Sequence, residues 1–148
     1  MSDLKERSVN DQQLTTLVEL ATGKHQPARE YLLLLARFAR LCDDLIDRDW
    51  QVTPKETEEM VGILFVQIPS NGFYQANFAM LQGMHFTLWN AYLDSNILAN
   101  GDALDRVYAH VLRDMINEVV PMVAFVLYGY KHMRKVSEKM RKIFRKNL

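Results

Sequence analysis

The phrase Asp43-Asp44-Leu45-Ile46-Asp47 sets three carboxylates close together near the end of an apolar stretch. On a helix, Asp43 and Asp47 stand four apart and Asp44 and Asp47 three apart, so all three share one side. Like charges this close repel, and a hard divalent cation relieves the repulsion. Mg²⁺, held by one or two carboxylates and completed by water, is the usual bridge to phosphate oxygens. The chemistry suggested is Mg²⁺-dependent turnover of a diphosphate or nucleoside triphosphate. Asp43, Asp44 and Asp47 would hold the metal, and Asp94, Asp114 or Glu118 would complete the site. A plainer use competes with it. At about 100° per residue, the stripe through Tyr31, Leu35, Phe38 and Cys42 lies opposite the aspartates. Arg40 and Arg48 lie within ion-pair spacing, as on an ordinary solvated face, and the balance favours that use.

The phrase resembles the first aspartate-rich motif of the trans-isoprenyl diphosphate synthases and their squalene and phytoene synthase relatives. The resemblance implies an all-α bundle, with Asp43, Asp44 and Asp47 as Mg²⁺ ligands facing a substrate diphosphate. It covers only the residues around that phrase. The chain is far shorter than the family's bundle, and Asn90-x-x-x-Asp94 is the nearest counterpart of a second motif. Acids at i and i+3 (Asp44/Asp47, Glu56/Glu59, Asp102/Asp105) are similar to a feature of the all-α nucleotide pyrophosphohydrolases, whose Glu-rich motif is not present in recognisable order.

Other polar groups fall on helix faces expected to turn inward. Gly83, Thr87, Asn90 and Asp94 form one small polar strip, and His110, Asp114 and Glu118 are spaced by four. A buried carboxylate needs a metal or a cation, and Arg106, Arg113 or a histidine could supply the latter. His25, His85, His110 and His132 lack zinc spacing, and Cys42 lies on an apolar face. No phosphate loop or nucleophile elbow occurs, so no residue is assigned as catalytic and no cofactor is expected outside the Mg²⁺ alternative.

The elements that must position these groups are helices, for no run alternates with the period of a strand. The first runs from Asp11 to Thr22 and closes at Gly23. The second opens at Pro27, reaches about Asp49 and carries Tyr31, Leu34, Leu35, Phe38, Cys42, Leu45 and Ile46 on one face. Thr53-Pro54-Lys55-Glu56 reads as a capping box for the third, which ends near Gln67 before a turn at Ile68-Pro69-Ser70-Asn71-Gly72. The fourth covers Phe73 to Leu98. The fifth starts at Asp102 and continues toward Gly129, with Pro121 kinking or dividing it.

Between Glu59 and Asp94 there is no Asp, Glu, Lys or Arg. This makes the fourth helix the expected centre of the fold, with Phe86 and Trp89 buried. The expectation is an all-α chain, one domain over residues 1–148, a bundle of five or six helices around that charge-free helix.

The zero net charge hides an asymmetry. Residues 1–130 carry 10 basic against 17 acidic groups, and residues 131–148 carry eight basic groups against Glu138. Those eight are Lys131, Arg134, Lys135, Lys139, Arg141, Lys142, Arg145 and Lys146, on an amphipathic helix whose apolar side holds Met133, Val136, Met140, Ile143 and Phe144. Such a tail can meet nucleic acid, an anionic surface or an acidic patch on a sister subunit. The most apolar run, Val119 to Tyr130, is 12 residues, short of the ~20 that cross a bilayer. A lone cysteine makes no internal disulfide, and the polar start lacks a signal-peptide core, so the cytoplasm is the expected location. The leading functional expectation is a small non-enzymatic assembly or interaction protein, a homo-oligomer. Mg²⁺-dependent phosphate chemistry is the alternative.

Overall fold

The computed structural model describes residues 2–47 and 51–145, with side chains from residue 11 onward. The described residues are helical or in short turns, and none forms a strand.

Helix α1 (Ser2–Thr22) buries Leu17, Val18 and Ala21, one stripe at helical spacing. Gly23 ends it at φ +56°, donating to the Glu19 carbonyl at 2.9 Å. Its last carbonyls are satisfied from the far end of the chain. Tyr128 Oη donates to the Thr22 carbonyl at 2.8 Å, and His132 Nε2 to that of Leu20 at 2.9 Å. A Cβ at Gly23 would stand 2.7 Å from the Tyr128 hydroxyl, so the close approach and the backbone angle both call for glycine.

Helix α2 (Gln26–Asp47) buries Ala28, Tyr31, Leu32, Leu35 and Leu41. Its last turn differs from expectation: Leu45 and Ile46 are exposed, and the acidic side is turned toward Tyr92 and Arg113. Arg48 and Asp49 lie outside the described residues. Helix α3 (Pro54–Gly62) begins with the capping box expected of Thr53 and Glu56. It widens into a π-helical turn over Ile63–Gln67, closed by a bond from Ile68 N–H to the Ile63 carbonyl at 2.9 Å. Ile63 and Ile68 point inward from this turn, while Leu64, Phe65 and Val66 point out.

The expected fourth helix is two helices, α4 (Gly72–Ala76) and α5 (Phe78–Leu98). They part at Asn77, whose side-chain amide donates to the Phe73 carbonyl at 2.9 Å and competes with the helical ladder. The expected fifth helix is also divided. Helix α6 (Ala103–Asp114) starts with an Asp102/Asp105 capping box, tightens to a 3₁₀ turn at Met115–Glu118, and resumes as α7 (Val119–Tyr128). The ring of Pro121 collides with the carbonyl four residues earlier, so the preceding turn cannot stay α-helical. Gly129, at φ +89°, turns the chain into α8 (Tyr130–Arg145). These divisions give shorter and more numerous helices than the five or six expected.

The centre of the fold is not the charge-free helix. Within α5 only Leu81, Ala91 and Ser95 are buried, and Phe86 and Trp89 are 75% and 48% exposed. The central position belongs to α7, which buries Val119, Val120, Pro121, Val123 and Ala124 against α1, α2 and α8. An absence of charge marks which surface should stay dry; it does not specify what covers it.

Candidate functional site

The sequence-predicted acidic residues meet the second half of the chain in a cleft of about 840 Å³, between α2, α4, α5 and the 3₁₀ turn. Asp43 and Asp44 from α2 line it, together with Arg40, His85, Trp89, Tyr92 and Arg113. Arg113, in the last turn of α6, binds both Asp47 at 2.8 Å and Asp43 at 3.5 Å through one guanidinium nitrogen. Its other terminal nitrogen donates to Asn96 Oδ1 at 2.6 Å. The guanidinium also lies 5.3 Å from the centre of the Tyr92 ring, whose hydroxyl donates to Asp43 at 3.2 Å. Burial and the neighbouring Asp47 carboxylate together push Asp43 up to about 6, against the opposing pull of Arg113 and Tyr92. Burial and the Asp43 carboxylate raise the Tyr92 phenol, and burial with the Asp43 and Asp47 carboxylates raises the Cys42 thiol.

The other end of the cleft is aromatic. Tyr31, fully buried, lies 2.6 Å from His85 Nε2, and the rings of Tyr31 and Tyr74 each stack near that imidazole at 5.9 and 5.7 Å. Burial raises the Tyr31 phenol and lowers His85. Both shifts favour the uncharged forms, so the contact is a hydrogen bond between a phenol and a neutral imidazole. Tyr74 Oη donates to Gln82 at 3.1 Å. The cleft thus joins a carboxylate held near neutral pH to an uncharged imidazole through an aromatic wall.

Asp43 and Asp47 converge on a cation, Arg113, and Asp44 lines the same cleft as Asp43. Asp94 is exposed on α5, with no ion pair among the described residues. Glu118 pairs with Arg141 of α8. Asp114 lies 3.5 Å from His110. Of the six carboxylates considered for a metal, Asp43 and Asp47 share Arg113, Asp114 lines the same cleft as Asp43 and Asp44, and Glu118 is taken up by Arg141. Among the described residues no group of three or more His, Cys, Asp or Glu is placed to hold a metal ion. Arg113 occupies oxygens that Mg²⁺ would need, so this arrangement does not fit the metal that the aspartate motif implies. Sequence reasoning missed Tyr92, Asn96 and the Tyr31–His85 pair. The spacing offers Arg113 as a partner for Asp94, Asp114 or Glu118, whereas the structure pairs it with Asp43 and Asp47. Arg40 pairs with Asp11 of α1 at 2.6 Å rather than with its helical neighbours.

Two further surfaces stand out. The cationic face of α8 keeps Lys131, Arg134, Lys135, Lys139, Arg141, Lys142 and Arg145 exposed, while Val136, Ser137 and Met140 are buried against the body. Of these seven, Arg141 alone forms an ion pair among the described residues. Lys146 lies outside them. The antiparallel hairpin of α5 and α6 forms the second surface, with large apolar side chains left in solvent on both helices.

Among the described residues, no helix is long and apolar enough to cross a membrane. No known protein family, curated protein or solved structure matches the chain.

Proposed function

We propose that this chain is a small non-enzymatic assembly protein that works as a homo-oligomer, in the cytoplasm. Exposed apolar side chains carry the reading: Phe86, Ile97, Leu104 and Val107 are all more than 60% exposed on neighbouring helices, and apolar patches of this kind mark surfaces of association. Charge supports the same reading, since residues 1–130 are acidic on balance and residues 131–148 basic. Opposite charge on one chain complements a neighbouring copy. Sedimentation equilibrium on the full chain tests this: the expected mass exceeds 17.3 kDa across the micromolar range, and a monomer throughout defeats the reading. Tight DNA binding by a monomer, weakening steeply with salt, would instead assign α8 to phosphate contacts.

Phosphate-ester chemistry is the second reading, on one observation: Arg40 and Arg113 line the same cleft as half-buried Asp43. For Mg²⁺ to enter, Arg113 must leave Asp43 and Asp47. Thermal melts with Mg²⁺, against Na⁺ at equal ionic strength, decide it. A rise specific to Mg²⁺ and lost in Asp44→Asn supports the enzyme, and equal responses to both salts remove it.

A further inference from the structure

Helix α5 has two apolar sides, and this chain covers one of them. The inner side carries Leu81, Met84, Leu88 and Ser95, which are buried or packed against neighbouring helices. About half a turn away, Phe86, Trp89, Leu93 and Ile97 follow one another at intervals of three and four and are exposed by 42–75%. No charge falls between Phe78 and Leu93, so over that span the outer side lacks the charged groups with which a solvated helix is normally coated, and its exposed polar residues are the neutral Gln82, Thr87 and Asn90. Helix α6 repeats the pattern. Leu104, Val107, Tyr108 and Val111 form a stripe at the same intervals, and all four are exposed.

We propose that this outer face of α5 and α6 is the surface on which a second copy of the chain docks, hairpin against hairpin. The inference rests on the self-association reading and names its interface. Area supports it. The aromatic side chains Phe86, Trp89 and Tyr108, of roughly 150–250 Å² each, are about half or more exposed, and with the five smaller aliphatic residues the two stripes leave on the order of 1,000 Å² of apolar surface in water. The largest such patch on an ordinary monomer is about 300–600 Å², and a stable dimer needs about 800 Å² from each partner. One hairpin supplies that amount.

The chemistry of the stripes also limits the occupant. A surface of eight uncharged positions at helical spacing is matched by another apolar helical face of similar extent, and this chain carries one. Two copies related by a two-fold axis bring like stripes together, since an isologous contact needs only one self-complementary patch. The charges nearest the stripes are mainly acidic (Asp94, Asp102, Asp105 and Asp114), which disfavours an anionic lipid surface or nucleic acid at this face. The resulting contact is a layer of four helices, two from each copy, packed as in an ordinary bundle.

The test uses the full chain, with Leu93→Glu combined with Val107→Glu. Both sites are exposed in the single chain, so the substitutions place charge in the proposed contact without touching the core. Sedimentation equilibrium is expected to give a dimer for the parent and a monomer of unchanged helical circular dichroism for the double variant. Phe65→Glu, on the π-helical turn, serves as the control and is expected to remain dimeric. Should the glutamates unfold the chain, Phe86→Gln adds no charge and is expected to raise the dissociation constant at least tenfold. A dimer that survives both the glutamates and Phe86→Gln overturns this interface and leaves self-association standing. Dissociation by Phe65→Glu alone moves the contact to the π-helical turn. A parent chain that stays monomeric overturns the reading beneath it, and if that monomer binds anionic vesicles through Trp89, the face belongs to lipid instead.

Discussion

The body built from α1, α2, α7 and α8 and the α5–α6 hairpin are both rich in apolar residues, yet they use them differently. In the body, Leu17, Val18, Tyr31, Val123, Val136 and Met140 are almost completely removed from water, and the cations of α8 are all on the opposite side. In the hairpin, Leu81, Ala91, Ser95 and Ala109 are the buried residues, and larger side chains than these stay outside. The body is a finished core; the hairpin is a surface. The difference is one of available neighbours. Helix α7 has helices on three sides, whereas α5 packs mainly on α6 and leaves one side open.

The sharpest way to break this contrast is to take a wall from the body. Deleting residues 131–145 removes Val136, Ser137 and Met140 from the core and uncovers α7. The expected outcome is loss of the cooperative thermal transition, and a near-normal melt would show that the body closes without α8. Next in size is Leu17→Ala, expected to cost about 2–5 kcal/mol. Phe86→Ala, measured at a dilution where copies are separated, should stay within about 0.5 kcal/mol. Equal losses in denaturant melts would erase the distinction between core and surface.

The joint between the two regions is polar and should respond more modestly. Arg113→Met strands two partly buried carboxylates and is expected to cost about 1–2 kcal/mol, less than a fully buried pair because water still reaches Asp43. The same change removes the cation that opposes burial at Asp43, so that carboxyl should titrate at higher pH still, as carboxylate NMR would show.

The smallest effect is a pH dependence. Asp43 holds its proton in the folded chain up to about 6, while in the unfolded chain it loses it near ~3.9. Between those values the folded state binds more protons, so this group's contribution to stability falls as pH rises from about 4 to about 6. Asp43→Asn should therefore gain on the parent across that interval and hold a constant margin above it. The margin is on the order of 1 kcal/mol once screening of a half-exposed group is allowed for. His85 acts in the opposite sense. Burial lowers it, so its stabilisation is present above about 6.5 and is lost as pH falls. The comparison of Asp43→Asn with the parent isolates the carboxylate because His85 is common to both.

Local signals in the sequence carried over well. Thr53 with Glu56 and Gly23 sit where their hydrogen bonds and backbone angle require, because each such device is complete within a few residues. The all-α class followed from the same kind of evidence. The acidic cluster was legible as a cluster and not as an ion-pair network, because Arg113 is 66 residues from Asp47 and nothing local connects them. The face of α5 that would be covered was not legible at all. A helix apolar on opposite sides has no preferred direction, so its pattern cannot say which side meets the rest of the chain.

The clasp at the end of α1 has a consequence for how the molecule comes into being. Tyr128 and His132 reach back 106 and 112 residues to the carbonyls of Thr22 and Leu20. At ordinary translation speeds, roughly ten seconds separate the emergence of α1 from that of the residues that close it. The apolar stripe of α1 spends that interval without its final cover, and the body is completed only when α8 arrives. Synthesis that halts after α6 releases an open hairpin and no finished core to carry it. Such products belong to chaperones and proteases, and the last helix decides which chains escape them.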